Sequence, residues 1–253
     1  TNTPTLIPTL TWTPLPTLSA QEVNTKIKEL LETNGGCELP CWWGITPYKT
    51  SWPEALHFLT PIIGDIGQGG SSTFYEGENK HFTTTFEVSY EIRGFSKPGR
   101  IAFELQDNVV VAITVFPPGT QNKYQLHHIL ALFGVPKQIY ISAQSSKAWS
   151  ETFTVFVLDY SDIGVWAFYS YVPAIHRDSF FACPNSTGAE LFLFDPQKEY
   201  TQGVSIVEAA EMFRGVPVRK LEDATTMTME NFYDAFVAPD SGLCLETLVN
   251  LWP

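Results

Sequence analysis

Apolar residues recur first at helical spacing, then at alternate positions, and then in the same two patterns again. Val23, Ile27, Leu30 and Leu31 fall on one helical face, opened by the capping box Ser19-Ala20-Gln21-Glu22 and stopped at Gly35. Ser51-Trp52-Pro53-Glu54 opens a second helix, with proline in the first turn where its missing donor costs nothing. Ala55, Leu56, Leu59 and Ile63 follow, broken by Pro61 and ended at Gly64. The period then changes to two. Phe82, Thr84, Phe86, Val88, Tyr90 and Ile92 alternate with polar neighbours, the pattern of a half-buried strand. Residues 100–105 and 109–116 read as a hairpin about Gln106-Asp107-Asn108, and Pro117-Pro118-Gly119 closes the block.

The second round begins at residues 121–133, a helix with Leu126, Ile129, Leu130 and Phe133 inward and Gly134 at its stop. Residues 139–142, 152–160, 164–171 and 190–194 read as strands. Segment against segment, ALHFLTPIIG matches HHILALFGVP and TTTFEVSYEI matches ETFTVFVLDY. A third capping box, Ser205-Ile206-Val207-Glu208, starts a helix to Phe213, and residues 230–236 and 243–252 are further short helices. The pattern predicts an α+β fold of two tandem helix-plus-antiparallel-meander units. An extended Thr/Pro-rich arm (1–18) precedes unit one (19–118) and unit two (119–253), which ends in a helical segment.

The arm, TNTPTLIPTLTWTPLPTL, holds seven threonines, four prolines and no charge. Proline excludes helix and central strand, which leaves polyproline II at about 3 residues per turn. On that period Leu6, Thr9, Trp12, Leu15 and Leu18 line one edge, and Leu6, Trp12, Leu15 and Leu18 are the expected anchors of a docking element. Trp42, Trp43 and Trp52 have two readings: core, or an aromatic groove that stacks such an arm from the same or a neighbouring copy.

Of 253 residues, 44% are hydrophobic and 17% charged, with a net charge of −12. That excess of carboxylates argues against nucleic acid and anionic lipid as partners. Val109–Phe116 is the strongest apolar run, too short for a transmembrane helix. The chain begins at a threonine, read as a processed N-terminus behind a removed export signal. Four cysteines allow three pairings; Cys37 with Cys41 and Cys183 with Cys244 is the expected pattern. Free thiols are the alternative, and a zinc site a poorer one, since no histidine lies near Cys37 or Cys41. Thr3, Thr5, Thr9, Thr11 and Thr13 beside prolines fit O-glycosylation, and Asn185 opens an N-glycosylation sequon, so glycans are possible partners.

Catalytic signals are sparse. His127 and His128 are adjacent on a helix, so one faces in and one out, while His57, His81 and His176 are isolated. Asp159, Asp162, Asp178 and Asp195 lie near strand ends, where a carboxylate pair could serve glycoside hydrolysis, but Asp-Tyr-Ser-Asp-Ile-Gly is also an ordinary turn. No metal site and no cofactor is expected.

The string CELPCWWGITPYKTSWPEA behind a Thr/Pro-rich stretch resembles uncharacterised exported bacterial proteins, often lipoproteins, with a TPT-rich tether and a CxxPCWWGI motif. The resemblance covers about residues 1–60, and Tyr48 stands where it implies a glycine. The helix-plus-meander unit, with Gly134-Val135-Pro136 at its helix end, is also similar to the SmpA/OmlA small lipoproteins. It is similar too to the beta-lactamase inhibitor proteins, which carry such a unit twice. These resemblances imply a fold and a location but no catalytic residue. The expectation is a non-enzymatic bacterial protein, extracellular or on the cell surface, a subunit of a filament or assembly that self-associates through its arm. A tethered lipoprotein that binds a small ligand or protein, and a secreted carbohydrate-active enzyme, are the alternatives.

Overall fold

Hydrogen-bonded caps set the helix starts. Helix α1 (Ala20–Thr33) opens with the Ser19 amide donating to Glu22 Oε2 at 2.8 Å and the Glu22 amide donating back to Ser19 Oγ. Helix α2 (Trp52–Leu59) repeats the device, the Ser51 amide donating to Glu54 Oε2 at 2.9 Å. Both starts follow the sequence expectation, and α3 (Leu126–Phe133) buries Leu126, Ile129 and Leu130. Among the described residues two more helices follow, α4 (Leu221–Ala224) and α5 (Met229–Phe236), the latter capped by Thr228. The computed structural model describes residues 18–63, 66–76, 79–93, 95, 97–118, 122–145, 152–183, 188–198, 217–239 and 242–252. The arm anchors Leu6, Trp12 and Leu15, the threonines of the arm, Asn185 and the Ser205 capping box lie outside them.

The strands are β1 (Ile66–Glu76), β2 (Asn79–Tyr90), β3 (Gly99–Gln106), β4 (Val109–Phe116), β5 (Gln138–Ser145), β6 (Thr152–Tyr160), β7 (Val165–Tyr171), β8 (Ala174–His176), β9 (Ser179–Ala182), β10 (Glu190–Phe194), β11 (Arg219–Lys220) and β12 (Leu245–Leu248). Nine form one antiparallel sheet in the order β1-β2-β3-β4-β10-β7-β6-β5-β11, and β12-β9-β8 form a second. Two meanders thus meet edge to edge where β10 pairs with β4, from Leu191 opposite Val115 to Phe194 opposite Ala112. The β3–β4 hairpin turns on Asp107 and Asn108, both at positive φ, the backbone a two-residue hairpin needs.

Strand alternation gives the large sheet two apolar faces. Val88, Ile101, Phe103, Ile113, Val115, Leu191, Leu193 and Tyr169 face the helices and join Ile27, Leu30, Leu59, Leu126, Leu130, Phe232 and Phe236 in one core. That core runs through both meanders, across the expected boundary at residue 118. Ala112, Val155, Val157, Trp166, Phe168, Phe192 and Phe194 form a smaller buried cluster, against which Tyr140 and Val218 pack.

Three expectations need correction. Residues 243–252 are strand β12 and a short 3-10 turn at Val249–Leu251, not a helix. The reason is a period of two: Leu245 and Thr247 are buried while Glu246 and Leu248 face out, and Cys244, bonded to Cys183, lays the segment along β9. The helix expected over 121–133 is shorter, a 3-10 turn at Asn122–Tyr124 preceding α3. Strand β1 and the β8–β9 hairpin were not expected. In β1 the run Gly-Gln-Gly-Gly-Ser-Ser reads as loop, and only pairing with β2 makes it a strand. No described helix is long and apolar enough to cross a membrane.

Candidate interaction site

The segment between α1 and α2 is organised by Asn34, which no catalytic or binding motif pointed to. It ends α1 in the left-handed conformation, φ 54°, which asparagine tolerates better than most residues. Its amide donates to the carbonyls of Cys37 at 2.9 Å and Cys41 at 2.8 Å, and its Oδ1 accepts from the Trp43 amide at 2.9 Å. One buried side chain thereby holds both ends of the Cys37–Cys41 disulfide ring and the first residues after it. The signal was present in the sequence: an asparagine followed by two glycines at a helix end.

The ring points the tryptophans inward. Trp42 and Trp43 stack at 5.8 Å; Trp42 meets Tyr124 at 5.7 Å and Trp43 meets Tyr90 at 5.2 Å. Trp52 stacks on Phe86 at 4.6 Å and tilts against Phe103. Their exposures of 0%, 2% and 6% leave no open aromatic face for a proline-rich ligand. The groove reading of Trp42, Trp43 and Trp52 is therefore replaced by the core reading: adjacent indoles on a ring-constrained turn carry too much apolar area to stay in water. The following loop clasps the β3–β4 hairpin. Tyr48, at φ 59°, donates its amide to the Val110 carbonyl, and the Trp52 amide donates to the Asn108 carbonyl at 2.8 Å. The position where the resemblance implied a glycine is thus a left-handed one.

Both expected disulfides are present, Cys37–Cys41 and Cys183–Cys244, and no cysteine is free among the described residues. The candidate carboxylates serve turns: Asp159 Oδ1 accepts from the Ser161 amide at 2.8 Å and Asp195 Oδ1 from the Gln197 amide at 2.9 Å. Asp162 forms an exposed ion pair with Lys137 at 3.3 Å, and Asp178 is exposed. His127 is buried and His128 exposed, their rings in edge contact at 4.2 Å. Among the described residues no group of three or more His, Cys, Asp or Glu side chains is placed to hold a metal. Ser19 holds the Glu22 carboxyl below the usual carboxylate value by side-chain and backbone hydrogen bonds, and Ser51 does the same for Glu54. Burial pushes the Tyr90, Tyr124, Tyr160 and Tyr169 hydroxyls well above the usual tyrosine value.

Open surface lies elsewhere, around α1. A cleft of about 940 Å³ is bounded by Gln21, Asn24 and Thr25 on the helix and by Glu91, Arg93 and Phe95 after β2. Asn24 Oδ1 fixes its floor by accepting from the Arg93 amide at 3.1 Å. A second cleft of about 540 Å³ shares Gln21 and Thr25 and reaches Leu18, Ser19 and Lys26. Leu18, the arm anchor that is described, is half-buried at its rim.

No protein-family model, no curated protein and no solved structure matches the chain. The functional reading therefore rests on its own residues.

Proposed function

We propose that the chain is a non-enzymatic, exported interaction protein, a subunit of a surface assembly whose residues 1–17 dock on a neighbouring copy. The observation that carries this reading is the place where the arm joins the body. Leu18 leaves α1 at the rim of one cleft and one helical turn from another, so an uncharged, apolar-rich segment starts where the body offers concave surface. The chemistry of the described body agrees: its disulfides and tryptophans build the fold, and its turn carboxylates cap backbone. Two disulfides suit an oxidising compartment, which supports an extracellular or cell-surface location. The mirror order of the sheet, helix then meander on each side of the β4–β10 seam, supports an internal duplication of one α+β unit.

An arm that docks on the next copy makes a head-to-tail contact, which need not close and can propagate as a filament. Deleting residues 1–17 is expected to convert an assembling protein into a monomer by light scattering. An unchanged oligomeric state would overturn the reading.

A further inference from the structure

We propose that the arm docks by β-augmentation, adding residues 1–17 of one copy as an edge strand along β1 of a second copy. The inference rests on the assembly reading above and supplies its chemistry.

The large sheet ends differently on its two sides. At one side the outermost strand is β11, two residues long, both basic and both exposed, pairing with Tyr140 and Ile141 of β5; short, charged edges are how proteins discourage further pairing. At the other side β1 runs eleven residues, Ile66–Glu76, and among the described residues it pairs with β2 alone. It contains no lysine, arginine or proline, and its single charge, Glu76, is its last residue. A register shift between Gln68 and Gly70 leaves Gly70 to Glu76 as an uninterrupted ladder. Such an edge presents unpaired backbone groups to another chain. The edges of the small sheet, β8 and β12, are only three and four residues long.

The core is also unfinished at this side. Ile66 and Phe86, with Leu56 and Phe58 of α2, pack against the main core but stay only partly buried. A strand laid beside β1 with an apolar face toward the helices would extend that core.

The arm has the matching pattern. Pro4, Pro8, Pro14 and Pro16 all stand at even positions, and all seven threonines stand at odd ones. In an extended strand, residues of one parity aim their N–H and C=O groups to the same edge and their side chains to the same face. With odd residues toward β1, no proline faces the ladder, and every missing donor points away, the one arrangement in which a strand tolerates proline. Leu6, Leu10 and Trp12 then share one face with the prolines, while the threonines fall on the other together with Ile7 and Leu15. Proline at four of the outer positions also interrupts the new edge, so it offers a poor template for a further strand. Leu6, Trp12 and Leu18 are six apart, a multiple of two and of three, so they fit both a strand and the polyproline helix expected from composition. The prolines and Leu10 decide for the strand, because on a three-residue period the prolines scatter. Residues 2–12 match the eleven-residue length of β1, and residues 13–17 span on the order of 17 Å to reach the neighbouring copy.

Parity gives the test. Thr11→Pro removes a donor that faces β1, whereas Asn2→Pro adds a proline at an outer, even position that carries none of the apolar contacts. Each is made in the full chain, and self-association is followed by sedimentation velocity, with circular dichroism to show that the body is unchanged. Thr11→Pro is expected to weaken association at least about tenfold, and Asn2→Pro by no more than about threefold. A synthetic peptide of residues 1–18 is expected to dissociate the assembly. Equal tolerance of both prolines, with association still lost on arm deletion, would overturn β-augmentation and leave the assembly reading standing. A full chain that stays monomeric at all concentrations would overturn both. In that case protection of β1 by its own arm would show docking within one copy.

Discussion

At the residue scale, Asn34 bears more of the architecture than any aromatic of the knot. Three hydrogen bonds from one buried side chain fix the carbonyls of Cys37 and Cys41 and the amide of Trp43, and hence the direction in which two indoles leave the ring. Replacing it with alanine leaves three backbone groups of a partly buried turn without that partner. Asn34→Ala is expected to lower the unfolding free energy by about 2–4 kcal/mol in urea titration. Asn34→Asp is expected not to restore it, because a carboxylate offers the two carbonyls no donor. A loss below about 0.5 kcal/mol for the alanine variant would show that the disulfide alone holds the turn. Glu22 provides a second residue-scale check. Its hydrogen bonds from Ser19 lower its folded pKa, so its contribution to α1 is full above the unfolded value and is lost as pH falls through the folded one. In Ser19→Ala the Glu22 carboxyl loses the hydroxyl donor but keeps the backbone one, so it is expected to titrate higher than in the parent, toward the ordinary glutamate value, by NMR, with faster amide exchange in the first turn of α1; an unshifted titration would remove the capping box from the account.

At the element scale, what was legible in the chain follows from whether a signal is local. Capping boxes at Ser19 and Ser51 and the alternation from Phe82 to Ile92 act within a few residues, and they locate α1, the start of α2, the β3–β4 hairpin and β2, which begins three residues earlier and ends before Ile92. Strand β1 was illegible because nothing in Gly-Gln-Gly-Gly-Ser-Ser favours a strand; its partner supplies the reason. Strand β12 reads as helix in the sequence because five apolar residues from Leu243 to Leu251 fit either period, and the link to Cys183 that selects the strand comes from a distant part of the chain. The same distinction separates the two readings of Trp42, Trp43 and Trp52. Their apolar character was plain from composition, but their burial depends on Tyr90, Tyr124 and Phe103, which contribute from other elements.

At the scale of the whole molecule, one core joins both meanders, and four buried tyrosines stand in it or at its margin. Burial raises the folded pKa of Tyr90, Tyr124, Tyr160 and Tyr169 above the unfolded value of 10.0. Their contribution to stability is complete below that value and is lost as pH rises from there toward the folded values. Tyrosinate absorbance from these four is expected to appear together with unfolding above about pH 10, rather than ahead of it; ionisation at ordinary pKa in a folded protein would contradict the burial. The central claim concerns the sheet edge and the arm, and hydrogen exchange at β1 tests it most directly. In the full chain at concentrations where it assembles, the backbone amides of residues 66–76 that face away from β2 are expected to be protected. Dilution to monomer, or removal of residues 1–17, is expected to release them while the β3 and β4 amides stay slow. Identical exchange of the β1 amides with and without the arm would contradict the account.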